Sequence, residues 1–213
     1  MLDITKMLID YNYSSRGSNK IKYIVVHCTG NYNKSAGVDN HYKYFNDGDR
    51  GVSADYFVDD KKVGMFVEDK NYAWHCGDGR GRFGITNSNS IGVEICVNSG
   101  SEYENAVKKA AELVGYLMKK YNISIENVKR HYDASRKQCP KEIMEGKDGV
   151  SWDEFKFFAQ SGEVSGKLYR VRKSWGDVKS QKGAFTEIEN ARRCAIKYGF
   201  SVYDEKGSCI YKG

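Results

Sequence analysis

The chain has 213 residues, of which 40% are hydrophobic, with 34 Lys and Arg against 28 Asp and Glu; that suffices for one sizeable core, or for a domain of about 150 residues with a small companion. No run reaches the ~20 apolar residues of a membrane-spanning helix, and the first twenty residues are broken every few positions by Asp, Lys, Asn or Ser, unlike the apolar heart of a secretory signal. The chain is therefore expected to stay in the cytoplasm or to leave it by a route other than the standard signal, and its six widely spaced cysteines point to thiol or metal chemistry rather than a disulfide framework.

In chain order, Lys22 to His27 is apolar and β-branched and reads as a buried strand ending at Thr29-Gly30. Gly37 to Phe45 reads as a short helix, Ala54 to Asp59 as a second strand, Asp60 to Lys62 as a turn and Val63 to Val67 as a third strand. A glycine-rich loop from His75 to Gly81 runs on to about Asn89, and Ser90 to Val97 is a central strand. Ser101 and Glu104 form a capping-box pattern opening the clearest helix, with Val107, Ala110, Ala111, Val114, Leu117, Met118 and Tyr121 at helical spacing. Asn127 to Arg130 leads into His131, and a helix from Trp152 to Ala159 closes the first domain.

Small polar residues then mark a linker. The expected organisation is a domain at 1–160, a linker at 161–166 and a module at 167–213. The module reads as β-α-β-β: Leu168 to Arg172, Glu187 to Tyr198, and a hairpin of Phe200 to Tyr203 and Ser208 to Tyr211. Residues 161–213 carry 11 Lys and Arg against 6 Asp and Glu, a bias that suits a polyanionic partner as well as it suits an ordinary solvated surface. The absence of any nucleic-acid motif argues against nucleic acid as that partner.

His27 ends an apolar strand, where its side chain can face a cleft. His131 and Cys139 lie in R-H-Y-D-A-S-R-K-Q-C-P, a spacing that suits two ligands on one loop. Two imidazoles and a thiolate, with the fourth position open, are a normal catalytic zinc shell. Spacing alone leaves plainer readings open: a hydrogen-bonded histidine, and a cysteine used as a small buried hydrophobe. Strand alternation puts Glu94 on one face with Gly92 and Cys96, opposite Ile91, Val93 and Ile95. A carboxylate there can line a cleft.

Y-I-V-V-H-C-T-G, A-W-H-C-G-D-G, S-I-G-V-E-I-C and H-Y-D-A-S-R-K-Q-C-P occur in this order. Over residues 1–160 the chain thereby resembles the type 2 N-acetylmuramoyl-L-alanine amidases, especially endolysins of phages infecting Gram-positive spore formers. The resemblance implies an α/β fold with a mixed central sheet flanked by helices, and one catalytic zinc on His27, His131 and Cys139. It implies hydrolysis of the peptidoglycan amide that joins N-acetylmuramic acid to L-alanine. Glu94 would be the general base, Lys137 the partner of the oxyanion, and Trp74 and His75 substrate-binding residues. His41 would be structural, and Cys28 and Cys76 would point away from the site. Where some relatives carry a catalytic tyrosine this chain has Ala54, and where histidine is common it has Asp55.

Y-R-V-R-K-S-W, S-Q-K-G-A-F and G-F-S-V-Y-D-E-K-G resemble small wall-binding modules of clostridial lysins and, more distantly, the SPOR fold. That implies a small α+β module gripping a glycan or anionic wall polymer, with Tyr169, Trp175 and Phe185 available to stack on sugars. The expected protein is an endolysin of a clostridial host, held in the host cytoplasm until lysis and then acting on the wall. The alternatives are a cytoplasmic muropeptide-recycling amidase, or a non-catalytic receptor of the same fold, a class that typically loses the cysteine ligand.

Overall fold

Two strands with strict alternation organise the sheet. In the computed structural model, which describes residues 2–146, 150–161, 168–185 and 188–213, these are β3 (Tyr23–Cys28) and β7 (Ser90–Ile95), paired in parallel with His27 beside Glu94. The strands before β3 are β1 (Ile4–Lys6) and β2 (Tyr13–Ser15). Between β3 and β7 come helix α1 (Val38–Asn46), β4 (Tyr56–Val58), β5 (Val63–Met65) and β6 (Asn71–Ala73). After β7 come α2 (Tyr103–Tyr121), β8 (Val128–Arg130) and the short helices α3 (His131–Ser135) and α4 (Lys141–Glu145), then α5 (Trp152–Ser161).

Among the described residues, six strands form the main sheet in the order β1-β5-β4-β7-β3-β8. The four from β4 to β8 run parallel, while β5 is antiparallel to β4. This is the mixed central sheet flanked by helices. One face carries Ile24, Val26, Tyr56, Val58, Ile91, Val93 and Ile95, and α2 and α5 cover it with Val107, Ala110, Leu113, Val114, Leu117, Phe155 and Phe158. Each buried Val, Leu, Ile or Phe among them contributes about 1.5–3 kcal/mol. Gly115 lets α2 and α5 close up, since a Cβ there would lie 2.4 Å from the Ala159 carbonyl oxygen. The other face bears Val25, His27, Phe57, Gly92 and Glu94. Its polar groups gather near the carboxyl ends of the parallel strands, where open α/β sheets bind their ligands.

Ser101 does not cap α2 as its pattern predicts. The helix starts at Tyr103, and the Ser101 hydroxyl donates to Asp60 Oδ1 (2.9 Å). A long-range partner has outcompeted the local one. Asn122, in the left-handed conformation, ends the helix by donating its N–H to the Met118 carbonyl.

The C-terminal residues form a second sheet. Its strands are β9 (Tyr169–Arg172), β10 (Gly183–Phe185), β11 (Ser201–Tyr203) and β12 (Cys209–Lys212), antiparallel in the order β10-β9-β11-β12. Helix α6 (Ile188–Tyr198) packs on it, with Val171, Ala191, Ala195 and Val202 buried between. β10 was not expected, so the pattern is β-β-α-β-β. Leu168 and Ala184 join the core of the main sheet rather than the module's own. Arg170 Nε donates to Glu154 Oε1 (2.5 Å) across the joint. The linker expected at 161–166 lies outside the described residues, apart from Ser161, which ends α5. Among the described residues no helix is long and apolar enough to cross a membrane.

Candidate metal centre

β3 delivers His27 at its penultimate position. Because strand neighbours in register share a face, Glu94 of β7 stands beside it, with Phe57 of β4 on the far side of Glu94. His131 follows β8 directly and opens α3 rather than sitting on the loop expected from its spacing. The Tyr132 N–H donates to the Cys139 carbonyl (2.9 Å), which folds the segment after α3 back on its start and brings Cys139 in. All three side chains are buried, and their ligand atoms lie within 4.8 Å of one another. They form the floor of a cleft of about 420 Å³, walled by Tyr32, His41, Val52, Trp74, Lys137 and Glu142.

The electrostatics suit a cation. His131 Nε2 lies 2.8 Å from Asp78 Oδ1. A carboxylate can only accept there, so Nε2 carries a proton, and in the neutral ring the Nδ1 lone pair points inward. That Nδ1 is 3.0 Å from His27 Nδ1. The Cys139 thiol is pushed down to about 2, by hydrogen bonding from Cys28 first, against burial, and further by His131 and His27. It is thereby held as a thiolate, and the Cys28 amide also lies 3.4 Å from Cys139 Sγ. Burial holds His27 below the usual histidine range. For His131 burial acts in the same direction, but hydrogen bonds with Cys139 and Asp78 outweigh it and raise it. An anionic sulfur and inward nitrogen lone pairs, all buried, fit a metal ion.

Glu94 Oε1 is 3.9 Å from His27 Nδ1, and the side chain is 19% exposed. Its buried Oε2 has no hydrogen-bond partner among the described residues. Burial first, then the Cys139 charge, push this carboxyl well above the usual range, while Lys137 pulls it down. Lys137 is exposed on the rim of the same cleft. Trp74 also lines the cleft, with its indole N–H donating to Ser14 Oγ (3.0 Å).

His75, expected to touch substrate, has no side-chain exposure. It lies behind His27, with its Nδ1 3.0 Å from His27 Nε2. Burial holds it well below the usual histidine range. Cys28 was expected to point away from the site, yet its thiol lies against Cys139 and Glu142, and the hydrogen bond with Cys139 and burial raise it. Cys76 is buried beside Ser90 (3.9 Å). Ala54 is core. Asp55 accepts from the Gly92 N–H (2.7 Å) and the Ala73 N–H (3.1 Å), and so ties β7 to β6 beneath His75.

Sequence reasoning missed Asp78, Ser90 and Arg16. Asp78 offered a signal as the one acid in the glycine-rich loop. Arg16 offered none: it is buried and donates to the carbonyls of Asp69, Asn71, Ser88 and Ser90, all far along the chain.

The N-acetylmuramoyl-L-alanine amidase family model matches residues 17–142, a stretch that holds His27, His131, Cys139 and Glu94. The amidase XlyA of Bacillus subtilis is 35% identical over 134 residues, which is 63% of this chain and 42% of XlyA. CwlH, an amidase of the same organism, is 34% identical over 133 residues, 62% of this chain and 50% of CwlH. The chain thus spans half or less of the length of these two relatives. A solved mutant endolysin from Bacillus subtilis superposes with a TM-score of 0.66 at 34% identity, covering 75% of this chain and 99% of that one.

Proposed function

The chain belongs to the N-acetylmuramoyl-L-alanine amidase family, and from that premise we propose that it is a zinc-dependent peptidoglycan hydrolase of the endolysin kind, cutting the amide between N-acetylmuramic acid and L-alanine. The observation that carries this reading is the convergence of His27, His131 and Cys139 on the floor of an open cleft, with Glu94 beside them. Zinc is the metal that two imidazoles and one thiolate suit best, and when bound it acidifies water and polarises a carbonyl.

Glu94 is the general base. Its partnerless Oε2 can take a proton from the attacking water and hand it to the leaving nitrogen as the amide bond breaks, and a carboxyl of raised proton affinity does both well. Lys137 on the rim offsets the negative charge that develops on the carbonyl oxygen. With Ala54 at the position of the relatives' tyrosine, Glu94 does this alone. Trp74 offers the cleft a substrate-binding wall, and His75 supports the site indirectly.

The C-terminal sheet, with its excess of Lys and Arg, grips an anionic wall polymer or glycan of a clostridial host. Tyr169 and Phe185 pack on that module's core, and Trp175 lies close to Arg172 and Gly207, so sugar stacking on these three is confined to their exposed parts. The protein stays in the host cytoplasm until lysis.

The test is chemical. Gram-positive walls treated with the zinc-loaded protein should release L-alanine amino termini without new reducing sugar ends, and Cys139→Ala should abolish both release and zinc binding. New reducing ends would make the enzyme a glycosidase and sink the reading. The full-length Cys139→Ala protein should still sediment with walls, and less so with walls stripped of anionic polymer.

A further inference from the structure

His27 has two ring nitrogens, and only one can face a metal. Which one carries the proton is not decided by His27 itself. Its Nδ1 faces His131 and its Nε2 faces His75 Nδ1, each at 3.0 Å. The next bond in the chain is His75 Nε2 to Ser90 Oγ (3.1 Å), and the one after it is Ser90 Oγ to the Thr86 carbonyl oxygen (2.5 Å).

That last contact has a fixed direction. A carbonyl oxygen can only accept, so the single hydroxyl hydrogen of Ser90 goes to Thr86. Ser90 Oγ must then accept from His75 Nε2–H. With its proton on Nε2, neutral His75 presents a lone pair at Nδ1 and accepts from His27 Nε2–H. The Nδ1 of His27 is left bare, facing the Nδ1 of His131, which Asp78 has bared in the same way. Two lone pairs at 3.0 Å repel unless an electrophile lies between them. We propose that His75 and Ser90 are positioning residues that relay the direction of the Thr86 carbonyl to His27, setting its tautomer for metal binding. The proposal rests on the metal-centre reading and adds to it why His27 presents Nδ1.

The surroundings hold the relay in this sense. Asp55 Oδ2 lies 3.9 Å from His75 Nε2, beyond hydrogen-bond range, so it does not compete with Ser90 for that nitrogen. The carboxylate is itself committed to the Gly92 and Ala73 amides. Cys76 Sγ, 3.9 Å from Ser90 Oγ, can donate to it without changing where the Ser90 hydrogen points. The His75 and Cys76 amides both donate to Asn87 Oδ1, at 3.1 and 2.8 Å, which fixes the backbone. The ring lies directly on the backbone of β7: a Cβ at Gly92 would be 2.6 Å from His75 Cγ. Outer partners of metal-binding histidines fix tautomer and ring orientation, and losing one costs roughly 10–100-fold in affinity.

Nitrogen-15 NMR of the metal-free protein should show both His27 and His75 protonated at Nε2. In zinc competition against a chelator, Ser90→Ala should weaken binding roughly 10–100-fold and move both histidines toward the Nδ1–H form. His75→Leu should weaken zinc comparably, while His75→Asn, whose amide oxygen can accept from His27 in place of Nδ1, should restore most of the affinity. A wild-type His27 protonated at Nδ1 overturns the relay, and that measurement needs no variant to fold. Unchanged zinc affinity in both Ser90→Ala and His75→Leu overturns it too. Failure of the metal reading looks different: the wild-type protein would bind no zinc while its tautomers stayed as described.

Discussion

Replacing Arg170 with methionine should loosen the joint between the two sheets. Arg170 and Glu154 are 5% and 1% exposed, and their side chains meet at 2.5 Å. Removing the cation strands a buried carboxylate, and breaking a buried pair from one side costs about 3–5 kcal/mol. Glu154 Oε2 keeps hydrogen bonds from the Ser151 N–H and hydroxyl, both 2.8 Å, so the lower end of that range applies. A loss of about 3 kcal/mol lowers the folded-to-unfolded ratio more than a hundredfold. Urea unfolding read by tryptophan fluorescence suits the test, because Trp152 and Trp175 flank the joint. The double variant Glu154→Leu with Arg170→Met should recover most of the loss, since neither partner is then left charged and buried. A single-variant cost under about 1 kcal/mol, the worth of an exposed ion pair, would refute the reasoning.

Two further outcomes are expected. Glu94→Gln should keep zinc content at the wild-type level while kcat falls roughly 10²–10⁴-fold, as expected of the proposed base rather than of a metal ligand; loss of zinc, or a fall under tenfold, would count against that role. Asp55 should titrate near 7, since burial raises it to about 7 from 3.8 despite the Gly92 amide and Arg16. As pH rises from about 4 to 7 the unfolded chain releases this proton first, so the group's contribution to stability falls by up to about 1.4 kcal/mol per pH unit. Carbon-13 NMR of the Asp55 carboxyl checks it, and a midpoint near 4 would contradict the assignment.

Where periodicity had length to act, the fold was legible. β7 alternates over six residues and α2 repeats over nineteen, and both were found within two or three residues of their ends. β1, β2, β6 and β10 have three residues each and, unlike the equally short β4 and β5, stand in no longer apolar run; they exist because a neighbouring strand pairs with them. The site divides similarly. His27, His131, Cys139 and Glu94 stood in recognisable motifs. Asp78, Ser90 and Arg16 act through partners 53, 15 and up to 74 positions away, a relation that local pattern does not encode. Cys28 was misjudged because alternation alone ignores what the segment after α3 and helix α4 bring over the end of β3.

Leu168 is 1% exposed and packs with residues of the main sheet's core, although by sequence it belongs to the module. A module that lends Leu168 to the main sheet's core is restrained from swinging against it. If the module grips the wall as proposed, the cleft would meet that wall at a restricted offset and angle, as a fixed jig meets its workpiece. New bonds then come within range only when the grip is released and taken again elsewhere, so the residence time of the module would limit how fast the enzyme moves across a wall.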